Sequence, residues 1–331
     1  METIILPIDD ESIKLAKEIL LNGGVVGMPT ETVYGLAGVG TNPNAVEKIF
    51  SVKGRPSDNP LIAHVHNDYD FAKISRQTNE YYLKLKNAFM PGPLTMVFES
   101  NGVVCKQALA GGDTVAIRVP SHIGCQKLLR EVNLPLVAPS ANLSKHVSPV
   151  TAKHVYDDLK GKIPLILDGG KCLGGIESTV LDVTGKTPRI LRAGLVTKEM
   201  VESVVGKCEV AMHKDSDKVK SPGVKYSHYM PRCETARYEF FELEKALLHY
   251  DDETKNGKKV YLMCSESVKT LVGDRLTLSL GSTVSEMASL LYERLRQGED
   301  IADLIIAIKD DAIGGIYDGL FNRLDKACKK M

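Results

Sequence analysis

Short apolar runs typical of buried strands alternate with helical patterns in two separate blocks of this sequence. In the first block some strand patterns follow one another directly, which predicts an α/β domain with a mixed, twisted sheet over residues 1–205. The second block alternates regularly and predicts a smaller, doubly wound (Rossmann-like) α/β domain with a parallel sheet over residues 234–331. Between them, residues 206–233 hold charged residues, Ser, Pro and Gly with little periodicity, which indicates either a linker or a long ordered crossing loop.

Length and charge agree with two globular domains. A chain of 331 residues is long for one core, and Lys+Arg and Asp+Glu both number 42, so no overall basic field for nucleic acid is evident. The seven cysteines are scattered without a C-x-x-C pair, which favours reduced thiols over a disulfide framework or a zinc site. No secretion signal or membrane-length apolar run is visible, so we expect a cytoplasmic protein without membrane contact.

The common phosphate-binding and hydrolase motifs are absent, and polar residues instead collect where strands meet loops. Residues 28–36 place two hydroxyls, a carboxylate and a phenol after the first strand pattern, at a position where α/β sheets often bind ligands. The alternative is a Thr-rich turn whose hydroxyls satisfy its own backbone, and this segment alone slightly favours the turn.

Lys53-Gly54-Arg55-Pro56 joins a helix pattern to a strand pattern. Lys supplies a point charge and Arg a planar fork of donors, and the two are complementary to a polyphosphate. A basic turn that complements the helix dipole is the alternative. Prolines at 56 and 60 stiffen the loop, which favours a binding function.

Arg118 lies in an otherwise apolar strand pattern, where a charge needs an anion or a partner. A ligand and a structural salt bridge explain it equally well. Small hydroxylic residues follow the next strand pattern at Ser140, Ser144 and Ser148, and a Gly-containing loop leads through Glu177-Ser178 into another strand. Together with Arg192, five separate strand ends carry convergent Ser, Thr, Arg or Lys residues, which predicts one shared binding site.

The motifs that carry these residues resemble those of the threonylcarbamoyl-AMP synthases. In order they are PTETVYGLAG (29–38), KGRPSDNPLIAHV (53–65), PGPLTMVF (91–98), TVAIRVPSH (114–122), VAPSANLSKHVSPVTAKHV (137–155), LDGG (167–170), ESTV (177–180) and ILRAG (190–194). The segment 221–231, SPGVKYSHYMP, resembles the linker motif of the two-domain form of that family.

This resemblance implies a catalytic domain at 1–205 that is a nucleotidyltransferase with a concave ligand site. It would join L-threonine, bicarbonate or carbon dioxide, and ATP into threonylcarbamoyl-AMP, with release of pyrophosphate. The product would serve the threonylcarbamoyladenosine modification of tRNA beside the anticodon, which a separate transferase complex completes.

The resemblance also implies roles for individual residues. Lys53 and Arg55 would act in catalysis. The ATP-binding residues would be Lys53, Arg55, Asn59, Thr114, Ser140, Ser148, Arg192 and Tyr229, with Tyr229 closing over the nucleotide as part of a lid. The L-threonine-binding residues would be Thr32, His64, Arg118, Ala138 (through its backbone) and Ser178, with Arg118 pairing the carboxylate. Mg²⁺ is expected with ATP, and no dedicated protein ligands for a metal are evident.

Two other functions compete with this interpretation. The first is a module that binds double-stranded RNA or tRNA without synthase activity, although the balanced charge predicts at most weak tRNA binding. The second is a carbamoyl-adenylate enzyme of hydrogenase maturation, which the lack of zinc-finger cysteine spacing disfavours.

Overall fold

The computed structural model describes residues 1–76, 79–211 and 229–331. These residues form two compact units. The first contains residues 1–144, 148–173 and 177 onward to the gap. The second contains the rest of the chain after the gap together with two short segments, residues 145–147 and 174–176.

The first unit is built on a mixed sheet of short strands, with several helices along the chain. Within the described residues its strands run in the order β1-β9-β2-β3-β8-β4-β7-β6-β10-β11-β12, and β5 pairs with β6. Its strands are β1 Ile4–Pro7, β2 Val26–Met28, β3 Gly35–Val39, β4 Ile62–His64, β5 Ser75–Arg76, β6 Leu94–Ser100, β7 Thr114–Arg118, β8 Leu136–Val137, β9 Leu165–Asp168, β10 Thr179–Asp182, β11 Arg189–Arg192 and β12 Glu209–Val210. Its helices are α1 Asp10–Leu21, α2 Pro43–Lys53, α3 Tyr81–Phe89, α4 Ile123–Val132, α5 Ala152–Leu159 and α6 Lys198–Val205.

Helix α2 begins and ends where local chemistry requires. The Asn42 side chain accepts hydrogen bonds from the first turn, and Pro43 occupies a position that has no hydrogen bond to lose. Gly54 ends the helix in the left-handed region, with φ of 61°. This stop fixes Lys53 as the last helical residue and directs the chain into the Arg55–Pro60 loop.

The second unit is a four-stranded parallel sheet in the order β13-β16-β14-β15. One face carries an apolar core that includes Ala246 and Tyr250 of helix α7, and on the other face Gly298 of helix α9 lies directly against Ile305. Helices on both faces match the predicted doubly wound architecture. Its elements are β13 Glu234–Glu239, α7 Leu243–Lys255, β14 Val260–Cys264, α8 Glu266–Lys269, β15 Thr277–Ser279, α9 Val284–Ile301, β16 Leu304–Lys309 and α10 Ile316–Ala327.

The predicted fold class is therefore confirmed, but several elements were missed. The sequence patterns did not indicate β1, β3, α6 or β13. Strand β3 begins inside the polar 28–36 segment and pairs with β2, so that segment is a hairpin connection. Strand β12 lies within the segment predicted as a linker and pairs with β11, while residues 212–228 of that segment lie outside the described residues.

None of the helices in the described ranges is both long and apolar enough to cross a membrane.

Leu262 and Leu248 offer a matched test of the core of the second unit. Leu262 in β14 is fully buried, whereas Leu248 on α7 is 63% exposed. We expect Leu262→Ala to lower the free energy of unfolding by about 2–5 kcal/mol, because it leaves a cavity, and Leu248→Ala to change it by less than about 0.5 kcal/mol. Urea titrations of the full chain measure both, and equal losses would contradict the assigned packing.

Candidate functional site

A row of polar side chains crosses three neighbouring strands of the first unit and ends at the residue before a fourth strand. His64 of β4 pairs with Arg118 of β7, and Arg118 pairs with Thr95 of β6. The Thr95 hydroxyl lies 2.8 Å from that of Ser178, the residue before β10. Because directly paired residues share a sheet face, these side chains lie side by side. The structure thus brings together three residues predicted to bind L-threonine, namely His64, Arg118 and Ser178.

The same face continues along β7 from Arg118 to Thr114. A small apolar cluster lies along the way, formed by Ile62, Val97, Ala116, Val180 and Leu191. Thr114 begins β7 and Arg118 ends it, so the two are about 13 Å apart at the usual rise per residue. These candidate residues thus lie at the ends of strands and at the two ends of one face, with an apolar middle between them.

Arg118 is 4% exposed and forms an ion pair with Glu31. Its Nη2 atom donates to Glu31 Oε1 at 2.8 Å, and the other carboxylate oxygen accepts the backbone N–H of Ser121 at 3.1 Å. The salt bridge that the sequence left open is therefore present. Glu31 belongs to the polar segment after β2, but sequence reasoning gave it no partner because it lies 87 residues from Arg118.

His64 is buried beside Arg118, and its Nδ1 lies 3.0 Å from the carbonyl oxygen of Ile62. Burial, followed by the positive charge of Arg118, lowers the pKa of His64 from 6.5 to about 3. The imidazole is therefore neutral at neutral pH.

Several side-chain hydrogen bonds of the Thr30–Tyr34 segment are made within the segment. Thr30 Oγ1 donates to the carbonyl of Val33 at 2.6 Å and lies 3.0 Å from Thr32 Oγ1. The Tyr34 hydroxyl donates to the carbonyl of Gly170 at 2.8 Å, and burial raises its pKa. Thr32 is fully buried and directly follows Glu31 in the chain.

Lys53 connects the end of α2 to the turn after β8. Its ammonium donates to the carbonyls of Ser140 and Asn142, and to Asn142 Oδ1 at 3.3 Å. The backbone N–H of Ser144 in turn donates to the carbonyl of Lys53 at 2.9 Å. Two motifs that are distant in sequence, K-x-R and S-x-N, thus form one structural element.

Asn59 is 1% exposed, and within the described residues neither Nδ2 nor Oδ1 has a hydrogen-bond partner. Buried amides are rarely left in this state, because the unsatisfied group costs about 1–3 kcal/mol. Asn59 lies just before β4, whose pairing with β7 places it at the Thr114 end of the face. Arg55 lies in the same loop, and its backbone N–H donates to the carbonyl of Phe50.

Ser148 and Glu177 form a buried pair in the first unit, with the Ser148 hydroxyl donating to Glu177 Oε1 at 2.8 Å. Arg192 donates through Nε and Nη2 to the carbonyl of Ser178, at 3.2 and 2.9 Å. Gly194 passes so close to this backbone that a Cβ atom there would lie 2.5 Å from Thr179 N. Sequence reasoning missed Glu177 and Thr95, although Glu177 directly precedes the predicted Ser178.

Two further predicted residues are Ala138, which contacts a neighbouring strand through its backbone, and Tyr229, which lies in the second unit. The N–H of Ala138 donates to the carbonyl of Ile62 at 3.1 Å, beside His64. Tyr229 belongs to the second unit, where its ring stacks on Tyr292 at 5.2 Å. Most of its motif, residues 221–228, lies outside the described residues, so the lid stays a prediction.

No group of three or more His, Cys, Asp or Glu side chains able to hold a metal occurs in the described ranges. All seven cysteines are free thiols.

Comparison with known proteins identifies the family. Residues 18–194 match the Sua5/YciO/YrdC family model, described as "Telomere recombination", and residues 196–328 match the model "Threonylcarbamoyl-AMP synthase, C-terminal domain". The chain belongs to the threonylcarbamoyl-AMP synthase family. It is similar to the threonylcarbamoyl-AMP synthases of Pyrococcus abyssi (37% identity over 97% of this chain and 95% of that one) and Bacillus subtilis (38% identity over 97% and 94%).

A solved structure shows the same architecture. The crystal structure of P. abyssi Sua5 complexed with L-threonine matches with a TM-score of 0.88 and 36% identity, covering 100% of this chain and 99% of that one. These relatives confirm the predicted family and an enzyme of the nucleotidyltransferase type. They give no support to an RNA-binding module without synthase activity.

The buried His64 predicts a specific dependence of stability on pH. The unfolded chain takes up this proton near pH 6.5, whereas the folded protein does so only near its pKa of about 3. Between these values the unfolded state binds more protons, so the free energy of unfolding falls on acidification, by up to about 1.4 kcal/mol per pH unit.

His64→Gln removes this contribution and leaves the other titrating groups in place. On acidification from pH 7 to pH 5, we expect the free energy of unfolding of the wild type to fall more than that of the variant. Urea titrations at several pH values measure it, and a difference that does not change with pH would contradict the assignment.

Proposed function

We propose that this protein makes threonylcarbamoyl-AMP and pyrophosphate from ATP, L-threonine and bicarbonate or carbon dioxide. The observation that carries the proposal is the single face of the first unit, which has an Arg118-centred polar row at one end and Thr114 with Asn59 at the other. An apolar cluster separates the two ends. Such a face suits two ligands placed end to end.

The nucleotide would lie toward the Thr114 end. The buried side-chain amide of Asn59 can hydrogen-bond to a ligand, and the small apolar cluster can pack against the nucleotide base. Lys53 and Arg55 would face the triphosphate, and Ser140 would be held in place by Lys53. Ser148, Arg192 and Tyr229 complete the proposed ATP site.

L-Threonine would lie at the Arg118 end. A buried guanidinium favours a carboxylate, and although Glu31 engages Nη2 of Arg118, the buried Nε atom has no hydrogen-bond partner within the described residues. Ser178 and Thr32 add hydroxyl groups, and the Ala138 backbone closes the site next to His64.

The chemistry requires two anions to be held together. The α-ammonium group of threonine first loses a proton, and the resulting amine joins carbon dioxide to form a carbamate with release of a second proton. A carbamate oxygen then attacks the α-phosphorus of ATP while the bond to the β-phosphate breaks and pyrophosphate leaves. Such transfers depend mainly on positioning and on cations that balance developing charge. Lys53, Arg55 and Arg192 supply those cations in the proposal.

The remaining partners follow from this chemistry. Mg²⁺ would arrive with ATP and take its ligands mainly from the phosphates. We also propose a cytoplasmic location, which the free thiols suit, and transfer of the product to a separate transferase that modifies tRNA. Direct tRNA binding would be weak.

A pyrophosphate-release assay with ATP and bicarbonate tests the proposed reaction. We expect release that depends on L-threonine, that falls when serine replaces it, and that yields threonylcarbamoyl-AMP by mass spectrometry. Lys53→Ala and Arg55→Ala should lower the rate by about 100-fold, because each removes charge from the transition state.

Lys48→Ala is the matched control, because Lys48 is an exposed lysine on the same helix as Lys53. It should retain the wild-type rate. Pyrophosphate release that is indifferent to threonine would rule the reaction out.

A further inference from the structure

The Glu31–Arg118 pair has hydrogen-bonding capacity that the protein leaves unused. Within the described residues, the buried Nε of Arg118 has no hydrogen-bond partner. Its Nη2 atom is engaged by Glu31. A buried guanidinium N–H without a partner costs free energy, so a ligand that supplies an acceptor recovers it.

The Glu31 carboxylate can accept further hydrogen bonds and carries the negative charge of the pair. Each of its carboxylate oxygens accepts one hydrogen bond, from Arg118 and from the Ser121 backbone, and each can accept a second. Its side chain is 16% exposed, compared with 4% for Arg118, so a small ligand can reach it. A donor and an acceptor thus lie side by side on one ion pair.

This arrangement is complementary to a free amino acid. The zwitterion carries a carboxylate and an ammonium on the same carbon, and these can align against Arg118 and Glu31 so that opposite charges face each other. We propose that Glu31 binds the α-ammonium group of the amino-acid substrate while Arg118 binds its carboxylate. The inference rests on the proposed function, which gives the ammonium group no side-chain partner.

The surroundings support a role for Glu31 as a ligand. His64, which pairs with Arg118 across β4 and β7, is neutral at neutral pH, so it adds no positive charge that would compete with an ammonium group for Glu31. The Thr30 and Thr32 hydroxyls contact each other directly beside Glu31. Selectivity for a zwitterion would also keep simple carboxylic acids of the cell from occupying the site.

A purely structural role for Glu31 gives a different expectation. If Glu31 only holds Arg118 in position, its loss weakens every ligand that bears a carboxylate. If it binds the ammonium group, its loss weakens threonine selectively. An analogue of threonine in which a hydroxyl replaces the ammonium group, 2,3-dihydroxybutanoate, separates the two.

The test is calorimetric titration of the full chain, wild type and Glu31→Gln, with L-threonine and with 2,3-dihydroxybutanoate. We expect Glu31→Gln to weaken threonine binding by about tenfold or more and to change binding of the analogue by less than about threefold. Equal weakening of both ligands, or no effect on threonine, would overturn the proposal.

Two controls keep the outcomes distinct. Glu131→Gln breaks an exposed ion pair with Lys17 of the first unit and should leave both affinities unchanged. If Glu31→Gln does not fold, Glu31→Asp keeps the charge but shortens the side chain and should still weaken threonine more than the analogue. Wild-type protein that fails to bind threonine at all would contradict the proposed function instead.

Discussion

A buried arginine at the end of β7 determines how the first unit can be arranged. Arg118 sits within the sheet, where an unpaired charge would be strongly destabilising, so neighbouring elements must compensate it. The loop after β2 supplies Glu31, and β4 supplies an imidazole whose pKa is lowered by burial and, second, by the charge of Arg118, so that it stays neutral. Electrostatic balance at one residue therefore links segments that are far apart in the sequence and sets the charge distribution of the candidate site.

A second link organises the other end of the site. The Lys53 ammonium, placed by the Gly54 helix stop, holds the carbonyls of Ser140 and Asn142. Lys53, which the sequence predicts as a phosphate ligand, therefore also stabilises the loop after β8. Substitution of Lys53 would affect charge and loop geometry together, whereas Asn59 has buried polar atoms and can report on ligand binding more directly.

Much of the architecture could be predicted from the sequence, because periodicity and capping residues are local signals. The bounds of α2 follow from Asn42, Pro43 and Gly54, and the alternation after residue 234 predicted the parallel sheet. Strand β13 was missed because its alternation includes the charged Arg237. The burial of this arginine is compensated by its ion pairs with Glu239 and Asp325. The partners of Arg118 and Ser148 could not be predicted, since they depend on strand register and on residues far away in the chain.

The strand order of the second unit has a consequence for how this region acquires its structure during synthesis. Strand β16 lies between β13 and β14, although it is the last of the four to leave the ribosome. Until residues 304–309 emerge, β13 and β14 have no shared neighbour, and each presents unpaired backbone groups that can bind other chains. Interrupted translation before this point would therefore yield an aggregation-prone fragment, even though most of the sheet's residues had already been made.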